Sequence, residues 1–217
     1  MIIALDGPSG SGKSTAAKIL AKKLNISYLD TGAMYRGIAY YILSQNIELN
    51  DLQSIINILP QIKMQIVSKD TEQHVIINNE DVTPFIRENR ISMAASTVSK
   101  IPEVRIKLVE LQREIANEND CVLDGRDIGS YVLPNADYKF YITADSIVRA
   151  KRRQEELQKK GEHFSLEEIK NEIEKRDEQD KNRKFAPLVI CDDAIVIDTT
   201  LLTIEEVISL IMNKICK

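Results

Sequence analysis

The stretch LDGPSGSGKST, residues 5–15, decides the fold of this chain. Gly7 is followed by four residues and then by Gly12, Lys13 and Ser14, which is the P-loop pattern G-x-x-x-x-G-K-[ST]. The apolar run MIIAL precedes the loop and the helical pattern STAAKILAKKL follows it, as the motif requires. A chance match in a Gly/Ser-rich turn is the alternative, and it would not need this strand and helix. The stretch therefore predicts a phosphate-binding loop between the first strand and the first helix.

The residues of this loop predict separate roles toward a nucleoside triphosphate. Glycines allow backbone N–H groups to turn toward an anion, because no Cβ blocks the approach. Lys13 would bring a mobile positive charge to the β- and γ-phosphates, and the Ser14 hydroxyl would contact Mg²⁺. We expect the phosphates to bind along the segment made of Gly7, Pro8, Ser9, Gly10, Ser11, Gly12, Lys13, Ser14 and Thr15.

The composition is typical of a soluble globular chain. Its 217 residues suit one domain with insertions, although the length would also allow two small domains. The net charge of −4 gives no overall basic field for nucleic acid, and no apolar run approaches the roughly 18 residues of a membrane span. The N-terminus lacks the pattern of a secretory signal. We therefore expect a cytoplasmic protein that binds neither nucleic acid nor membranes, with its three cysteines as reduced thiols.

Strand and helix patterns alternate along most of the chain, which predicts a parallel α/β sheet. After the first strand, the predicted strands are ISYLD at 26–30, CVLD at 121–124, YKFYIT at 138–143 and AIVID at 194–198. The predicted helices after the first cover 32–44, 102–118 and about 203–215. Residues 63–83 depart from the alternation, because their β-rich runs are separated by polar turns without a helix. They predict a small antiparallel insert of two or three strands.

Segment 149–184 has an unusual composition, with 22 charged residues, of which 12 are basic. One interpretation is a solvated helical hairpin, since charge runs are usually exposed faces. Ser165 and Glu168 form a capping-box pattern that would begin its second helix. The basic residues also suit a mobile cover over phosphates, and this second interpretation predicts a lid.

Asp124, at the end of the apolar strand CVLD, is a further candidate for the phosphate site. In P-loop proteins, an acidic residue at the end of such a strand commonly helps to hold Mg²⁺. An aspartate that merely opens the turn before Gly125 is the alternative. We expect Asp124 to hold Mg²⁺ together with Ser14, either directly or through water.

Four arginines lie in turn-like sequences marked by Gly or Asp, namely Arg36, Arg126, Arg176 and Arg183. A guanidinium group binds phosphate oxygens in a bidentate manner, and a transferring phosphoryl group needs its negative charge balanced. Together with a P-loop, these arginines favour a site that handles more than one phosphate group. A phosphate acceptor is already anionic at pH 7 and needs no base. The two histidines, which we interpret as solvated surface residues, would not be required.

Five motifs in order carry a resemblance that goes beyond the P-loop: GPSGSGKST, DTGAMYRG, AASTVSKIPEVR, DGRDIG and RDEQDKNRKFAPL. Over about residues 2–214 the chain closely resembles the bacterial cytidylate kinases, a family of nucleoside monophosphate kinases. The resemblance implies an α/β, P-loop NTPase three-layer fold with a parallel sheet flanked by helices, a small antiparallel β insert and a helical lid. It further implies one domain over 1–217, with a core of 1–61, 90–148 and 185–217, a monophosphate-binding insert at 62–89 and a lid at 149–184.

The same resemblance implies transfer of the γ-phosphate of ATP to CMP or dCMP, with Mg²⁺, in pyrimidine nucleotide metabolism. Small-molecule nucleotides would then be the partners, and we expect a monomer. By position in the motifs, the implied catalytic residues are Lys13, Arg126, Arg176 and Arg183. The implied contacts are Thr31, Arg36, Arg126 and Arg183 for the acceptor phosphate, Ser96, Arg105 and Asp127 for the cytosine, and Arg176 and Asp180 for the ribose.

Some of these positions depend on the resemblance alone, and some differ from the family pattern. On sequence alone, Arg105 lies on an amphipathic helix and would be a solvated residue of its exposed face. Thr31 stands where relatives often have Ser, which keeps the hydroxyl. Gln179 and Lys181 stand where some relatives have Arg, so the lid is expected to hold phosphates more weakly.

Other functions stay open on the sequence. An adenylate- or uridylate-specific kinase would share the P-loop, although AASTVSKIPEVR and the insert argue against it. A nucleotide-dependent switch would hydrolyse ATP or GTP slowly, but the guanine-binding pattern N-K-x-D does not occur. A nucleic-acid partner would have to use the basic residues of 149–184, among which ten acidic residues are interleaved.

Overall fold

The computed structural model describes residues 1–69, 72–159 and 161–216. Asp70 and Thr71 of the predicted insert and Lys160 of the predicted lid lie outside the described residues. The chain divides into two compact units, of which the first comprises Met1–Tyr28 and Asn119–Lys217 and the second Leu29–Glu118.

Strands and helices alternate as the sequence predicts. The strands are β1 Ile2–Asp6, β2 Ser27–Asp30, β3 Met64–Lys69, β4 Glu72–Ile77, β5 Glu80–Asp81, β6 Cys121–Gly125, β7 Tyr138–Thr143 and β8 Ile195–Asp198. The helices are α1 Lys13–Leu24, α2 Thr31–Ser44, α3 Leu52–Ile58, α4 Asn89–Val98, α5 Pro102–Glu118, α6 Ser146–Lys159, α7 Leu166–Asn182 and α8 Ile204–Ile215. The predicted boundaries of the long elements agree with these bounds within about one residue, whereas the sequence did not predict α3 and α4.

The first unit contains β6, β1, β7, β8 and the first half of β2, in a sheet with the strand order β2-β6-β1-β7-β8. Strand β1 pairs in parallel with β6 and β7, and β7 pairs in parallel with β8, which confirms the predicted parallel sheet. Because the central strands are covered on both faces, their sequences are nearly continuous apolar runs. The register places Leu5 opposite Asp124 and Asp6 opposite Gly125. The P-loop therefore begins at the carboxyl edge of the sheet, where parallel α/β folds bind ligands.

The apolar core of the first unit joins this sheet to α1 and α8. Ile3, Leu5 and Phe140 of the sheet pack with Leu20 of α1 and Ile208 of α8 in one buried cluster. Burial of this size is the main favourable term in folding and holds both ends of the P-loop in place. No helix in the described ranges is long and apolar enough to cross a membrane.

The charged segment 149–184 folds as a helical hairpin of α6 and α7. Ala150, Leu157, Ile169 and Ile173 form its own small apolar core. The predicted capping box is present, with the Ser165 hydroxyl accepting from the Glu168 backbone N–H and the Glu168 carboxylate accepting from Ser165 N–H. The hairpin interpretation is thus confirmed, while the lid remains a prediction about motion.

The second unit contains α2 to α5 and an antiparallel sheet with the order β3-β4-β5, as predicted for the insert. One prediction here is wrong. His74 is not simply a solvated histidine, because its Nδ1 lies 2.7 Å from Asp81 Oδ2 across β4 and β5 and its side chain is only 26% exposed. His163, by contrast, is exposed as predicted.

Candidate active site

The P-loop of the first unit has the backbone geometry that its glycines predict. Gly7 has a φ of +148°, and a Cβ at this position would stand 2.0 Å from the carbonyl oxygen of Ile142 on the neighbouring strand β7. Gly12, with a φ of +90°, begins α1 as its N-cap. The loop thus lies close against the sheet and delivers its last residues to the start of a helix, where anions bind.

Lys13 is buried at the base of this loop, with 6% of its surface exposed. Its Nζ donates a hydrogen bond to the carbonyl oxygen of Pro8 at 3.0 Å. Burial lowers the pKa of Lys13 to about 7; the positive charges of Arg126 and Arg176 act in the same direction and Asp124 opposes them. Lys13, Arg126 and Arg176 therefore share one electrostatic environment, in which an incoming anion would relieve the repulsion among three cations.

Ser14 and Asp124 meet as the sequence predicts. The Ser14 hydroxyl donates to Asp124 Oδ2, and the Tyr28 hydroxyl donates to Asp124 Oδ1 at 2.8 Å. Asp124 lies inside β6 and is 3% exposed, so the interpretation of this aspartate as a turn residue is wrong. A hydroxyl and a carboxylate offer the oxygen ligands that Mg²⁺ prefers, so these residues fit the metal.

Asp6 supports the segment that follows β6. Its two carboxylate oxygens accept the backbone N–H groups of Ile128 and Gly129, each at 2.8 Å. Burial raises the pKa of Asp6 to about 6, although these two N–H groups stabilise its charged form. Because Arg126 and Asp127 directly precede the two N–H groups, Asp6 fixes the backbone that presents them.

Arg126, Asp180, Arg183 and Asp127 form an alternating chain of charges in the first unit. Arg126 Nε donates to Asp180 Oδ2 at 2.9 Å, Arg183 Nη1 lies 3.8 Å from Asp180 Oδ1, and Arg183 Nη2 donates to Asp127 Oδ1 at 2.9 Å. The four side chains are between 6% and 17% exposed. The structure therefore brings together the predicted residues Arg126 and Asp127 of DGRDIG with Asp180 of α7 and Arg183, which caps that helix, and matches each of these two guanidinium groups to a carboxylate.

The second unit holds Thr31 and Arg36 at the start of α2. Asp30 caps this helix by accepting from Ala33 N–H at 2.8 Å, and its other carboxylate oxygen accepts from Arg36 Nη2 at 2.9 Å. Gln73 of β4 bonds the Asp30 backbone at both its N–H and its carbonyl, at 2.7 Å and 3.1 Å. The insert thus steadies the turn that presents Thr31 and Arg36.

Arg105 is the other predicted residue that the second unit holds firmly. It is 1% exposed, its Nη1 donates to the carbonyl oxygen of Ser99 at 3.2 Å, and its guanidinium lies 5.4 Å from the ring centroid of Tyr35. The interpretation of Arg105 as a solvated residue is therefore wrong, because α5 packs this face inward. Ser96, half-buried on α4, accepts at its carbonyl from the Ser99 hydroxyl at 3.0 Å.

Several side chains of the site were missed by the sequence analysis. Asp6 ends an apolar strand just as Asp124 does, so the same signal could have identified it. No sequence pattern marked Tyr28 as a residue of the site, because tyrosines are common in strands. Arg149 and Asp177, which contact the P-loop, were hidden among the 22 charged residues of 149–184.

The fold and the glycine-rich loop are those of a P-loop NTPase. Comparison with known proteins narrows that class. The family model described as cytidylate kinase matches residues 3–217, and the chain therefore belongs to the cytidylate kinase family.

Curated relatives agree with this assignment, and a solved structure agrees with the fold. The chain is 47% identical to a cytidylate kinase of Caldicellulosiruptor saccharolyticus over 99% of this chain and 95% of the relative. It is 49% identical to a cytidylate kinase of Clostridioides difficile, over 99% and 98%. A solved structure of an uncharacterised protein from Eubacterium ventriosum matches over 100% of this chain and 99% of that one, with a TM-score of 0.55 and 16% identity, and supports the fold alone.

Proposed function

We propose that this protein transfers the γ-phosphate of ATP to CMP and dCMP, giving ADP and CDP or dCDP, within pyrimidine nucleotide metabolism. One observation of the structure carries the proposal. The P-loop stands in the same unit as Arg126 and Arg183, whose guanidinium groups are already held in place by carboxylates. A loop for a triphosphate in one compact unit with two guanidinium groups held in place suits transfer from one phosphate to another.

On the donor side, the segment Gly7 to Thr15 holds the triphosphate and Lys13 neutralises its terminal phosphates. Ser14 and Asp124 hold Mg²⁺, which when bound neutralises charge on the phosphate oxygens. Tyr28 orients the Asp124 carboxylate through its 2.8 Å hydrogen bond. Positioning and charge neutralisation are the main work of a phosphoryl-transfer enzyme.

On the acceptor side, Arg126, Arg183 and Arg36 bind the monophosphate, with Thr31 beside it. Its phosphate is largely dianionic at pH 7, so in-line attack needs no general base. Arg126 and Arg183 exchange their carboxylate partners for phosphate oxygens as the acceptor enters. Arg126, Arg176 and Arg183 then balance the charge that spreads over the transferred group.

The nucleoside is recognised by complementary polar groups. Cytosine offers an exocyclic amine donor beside acceptor atoms, and Asp127, Arg105 and Ser96 complement that edge. Asp180 and Arg176 contact the ribose. Uracil would place a carbonyl oxygen against the Asp127 carboxylate, which disfavours it.

The organisation of the chain follows from the same proposal. It is a single kinase domain and a cytoplasmic monomer, in which insert 62–89 serves the monophosphate and hairpin 149–184 is a lid that closes by motion of its far end, while Arg149 and Asp177 at its base stay bonded to Ser9. Hydrogen exchange that slows in 149–184 when both nucleotides are present supports the lid, whereas unchanged exchange contradicts it.

An acceptor panel tests the proposed function. ADP release is followed with ATP and Mg²⁺ and, in parallel, CMP, dCMP, UMP, AMP, GMP or no acceptor. Turnover that appears with CMP and dCMP and is weak or absent otherwise is the expected result. Equal ADP release without an acceptor would instead indicate an ATPase or a nucleotide-dependent switch.

The Tyr28→Phe variant is expected to weaken the metal site without disturbing the fold. It removes one hydrogen bond to Asp124, worth about 0.5–1.5 kcal/mol, so affinity for the metal should fall roughly 2- to 13-fold. Electron paramagnetic resonance of free Mn²⁺, titrated into the ADP complex, measures this affinity. Tyr138→Phe is the matched control, since it also loses one hydrogen bond, from its hydroxyl to the carbonyl oxygen of Ile215. Equal Mn²⁺ affinity in both variants would contradict the role of Tyr28.

Binding of ATP at pH 8 is expected to take up nearly one proton. Lys13, with a pKa of about 7 in the free protein, is then mostly neutral, and the phosphates restore its charge. Titration calorimetry in two buffers of different ionisation enthalpy measures the uptake, which should shrink at pH 6 because Lys13 is already charged there. Lys13→Arg, which cannot titrate, should remove the uptake. Identical enthalpies in both buffers at pH 8 would show that Lys13 keeps its proton.

A further inference from the structure

The proposed reaction leaves one buried ion pair of the first unit without a role. Arg149 on α6 and Asp177 on α7 are joined by a bond of 2.6 Å from Nη1 to Oδ2, and their side chains are 8% and 9% exposed. Burying two charges is costly unless they also satisfy other polar groups. Their further contacts show which groups they satisfy.

Both charges bond the same residue of the P-loop. Asp177 Oδ1 accepts from the backbone N–H of Ser9 at 3.3 Å, and Arg149 Nη1 donates to the carbonyl oxygen of Ser9 at 2.9 Å. Arg149 Nε is fixed in turn by the carbonyl oxygen of Ala144 at 2.9 Å. A single ion pair therefore satisfies Ser9 at its N–H and at its carbonyl.

The approach of α6 to the loop is close at the next residue as well. A Cβ added to Gly10, which has a φ of +75°, would lie 3.0 Å from the carbonyl oxygen of Arg149. A loop of this kind binds phosphate through backbone N–H groups that must already point inward. Its glycines make an unrestrained loop conformationally free, and ordering it during binding would cost affinity.

We propose that Arg149 and Asp177 are positioning residues that hold the P-loop at Ser9 in the conformation that binds the donor triphosphate. They act through the loop and do not touch the reacting atoms. Because the pair is neutral as a whole, it orders the loop without adding net charge to the phosphate site. The identity of the donor rests on the proposed function, whereas the ordering of the loop does not.

The Arg149→Lys variant distinguishes positioning of the P-loop from the alternative that the ion pair only joins α6 to α7. Lysine keeps a positive charge beside Asp177 but replaces the guanidinium fork by a single ammonium group, so it cannot hold Asp177, Ser9 and Ala144 in the same way. We expect the KM for ATP and the Kd for ADP to rise roughly tenfold, the KM for CMP to stay within about twofold, and kcat to fall less than the KM rises. The Asp177→Asn variant should act in the same direction.

Hydrogen exchange of the nucleotide-free protein gives a readout that a structural role would not change. The peptide that covers the P-loop should exchange faster in Arg149→Lys, while the peptides of α6 and α7 should not. Glu174→Gln is the matched control, because it removes an exposed ion pair with Lys170 on the same helix, and it should change neither exchange nor affinity.

The outcomes distinguish this proposal from the proposed function. Unchanged P-loop exchange and unchanged ADP affinity in Arg149→Lys would overturn the positioning role, whatever the acceptor panel shows. Absence of CMP turnover in the wild-type protein would overturn the proposed function and leave the exchange and ADP measurements valid. If Asp177→Asn does not fold, the Arg149→Lys data alone decide.

Discussion

The Arg126→Lys variant is expected to lower kcat by roughly 100-fold, the scale on which one preorganised donor to a transition state contributes. Arg126 Nε bonds Asp180 in the free protein, whereas its Nη1 bonds the carbonyl oxygen of Gly125 at 3.2 Å, and this second bond still holds the guanidinium when Nε exchanges Asp180 for a phosphate oxygen. Lysine keeps the charge but loses the planar fork. The loss should therefore fall on the transition state, where charge spreads over several oxygens, more than on binding of CMP.

Single-turnover and steady-state kinetics of the same variant measure this effect. Arg90→Lys is the matched control, since it makes the same chemical change at a side chain that is 74% exposed, and it should leave kcat within about twofold. An unchanged kcat in Arg126→Lys would remove Arg126 from the transition state and leave it a binding residue at most.

The Asp127→Asn variant is expected to reduce the preference for CMP over UMP by about 1–3 kcal/mol, or roughly 5- to 150-fold. The carboxylate only accepts hydrogen bonds, so it suits the cytosine amine and repels the uracil carbonyl. An amide can also donate, and it would accept uracil. Because Asp127 is 7% exposed and bonded to Arg183, water cannot easily replace the lost contact.

The ratio of kcat/KM for the two acceptors is the quantity to compare, since loss of the bond to Arg183 should slow both reactions. Asp193→Asn is the matched control, because it also removes a carboxylate bonded to a cation, Lys139 at 2.7 Å, in the same unit. The ratio should stay unchanged in this control. An intact preference in Asp127→Asn would mean that the base is recognised by other residues.

The sequence predicted what local patterns can encode. The residues from Gly7 to Ser14 match the spacing of a P-loop, and the segments on either side have a strand pattern and a helix pattern. For this reason β1, the loop and α1 were correctly predicted. Asp124 followed from one rule about apolar strands that end in Asp. The antiparallel insert followed from the missing helix between two β-rich runs.

Contacts between distant segments could not be predicted from such patterns. Arg105 is buried because α5 packs its face inward, which the amphipathic pattern alone does not decide. Ser9 is bonded by residues 140 and 168 positions away, and no local signal marks those two among many charged neighbours. Helix α4 combines Ala94 and Ala95, which favour helices strongly, with hydroxylated and β-branched residues that favour them weakly, so its local preference did not decide its structure.

The alternating charges of Arg126, Asp180, Arg183 and Asp127 have a consequence for the resting protein in a crowded solution. In the free protein, the two carboxylates already act as the counter-ions of the two arginines. A stray chloride or inorganic phosphate must therefore displace a bonded carboxylate and gains little by it. A nucleotide makes base and sugar contacts in addition to its phosphate contacts, and we expect it to displace the carboxylates from the arginines where a small anion does not.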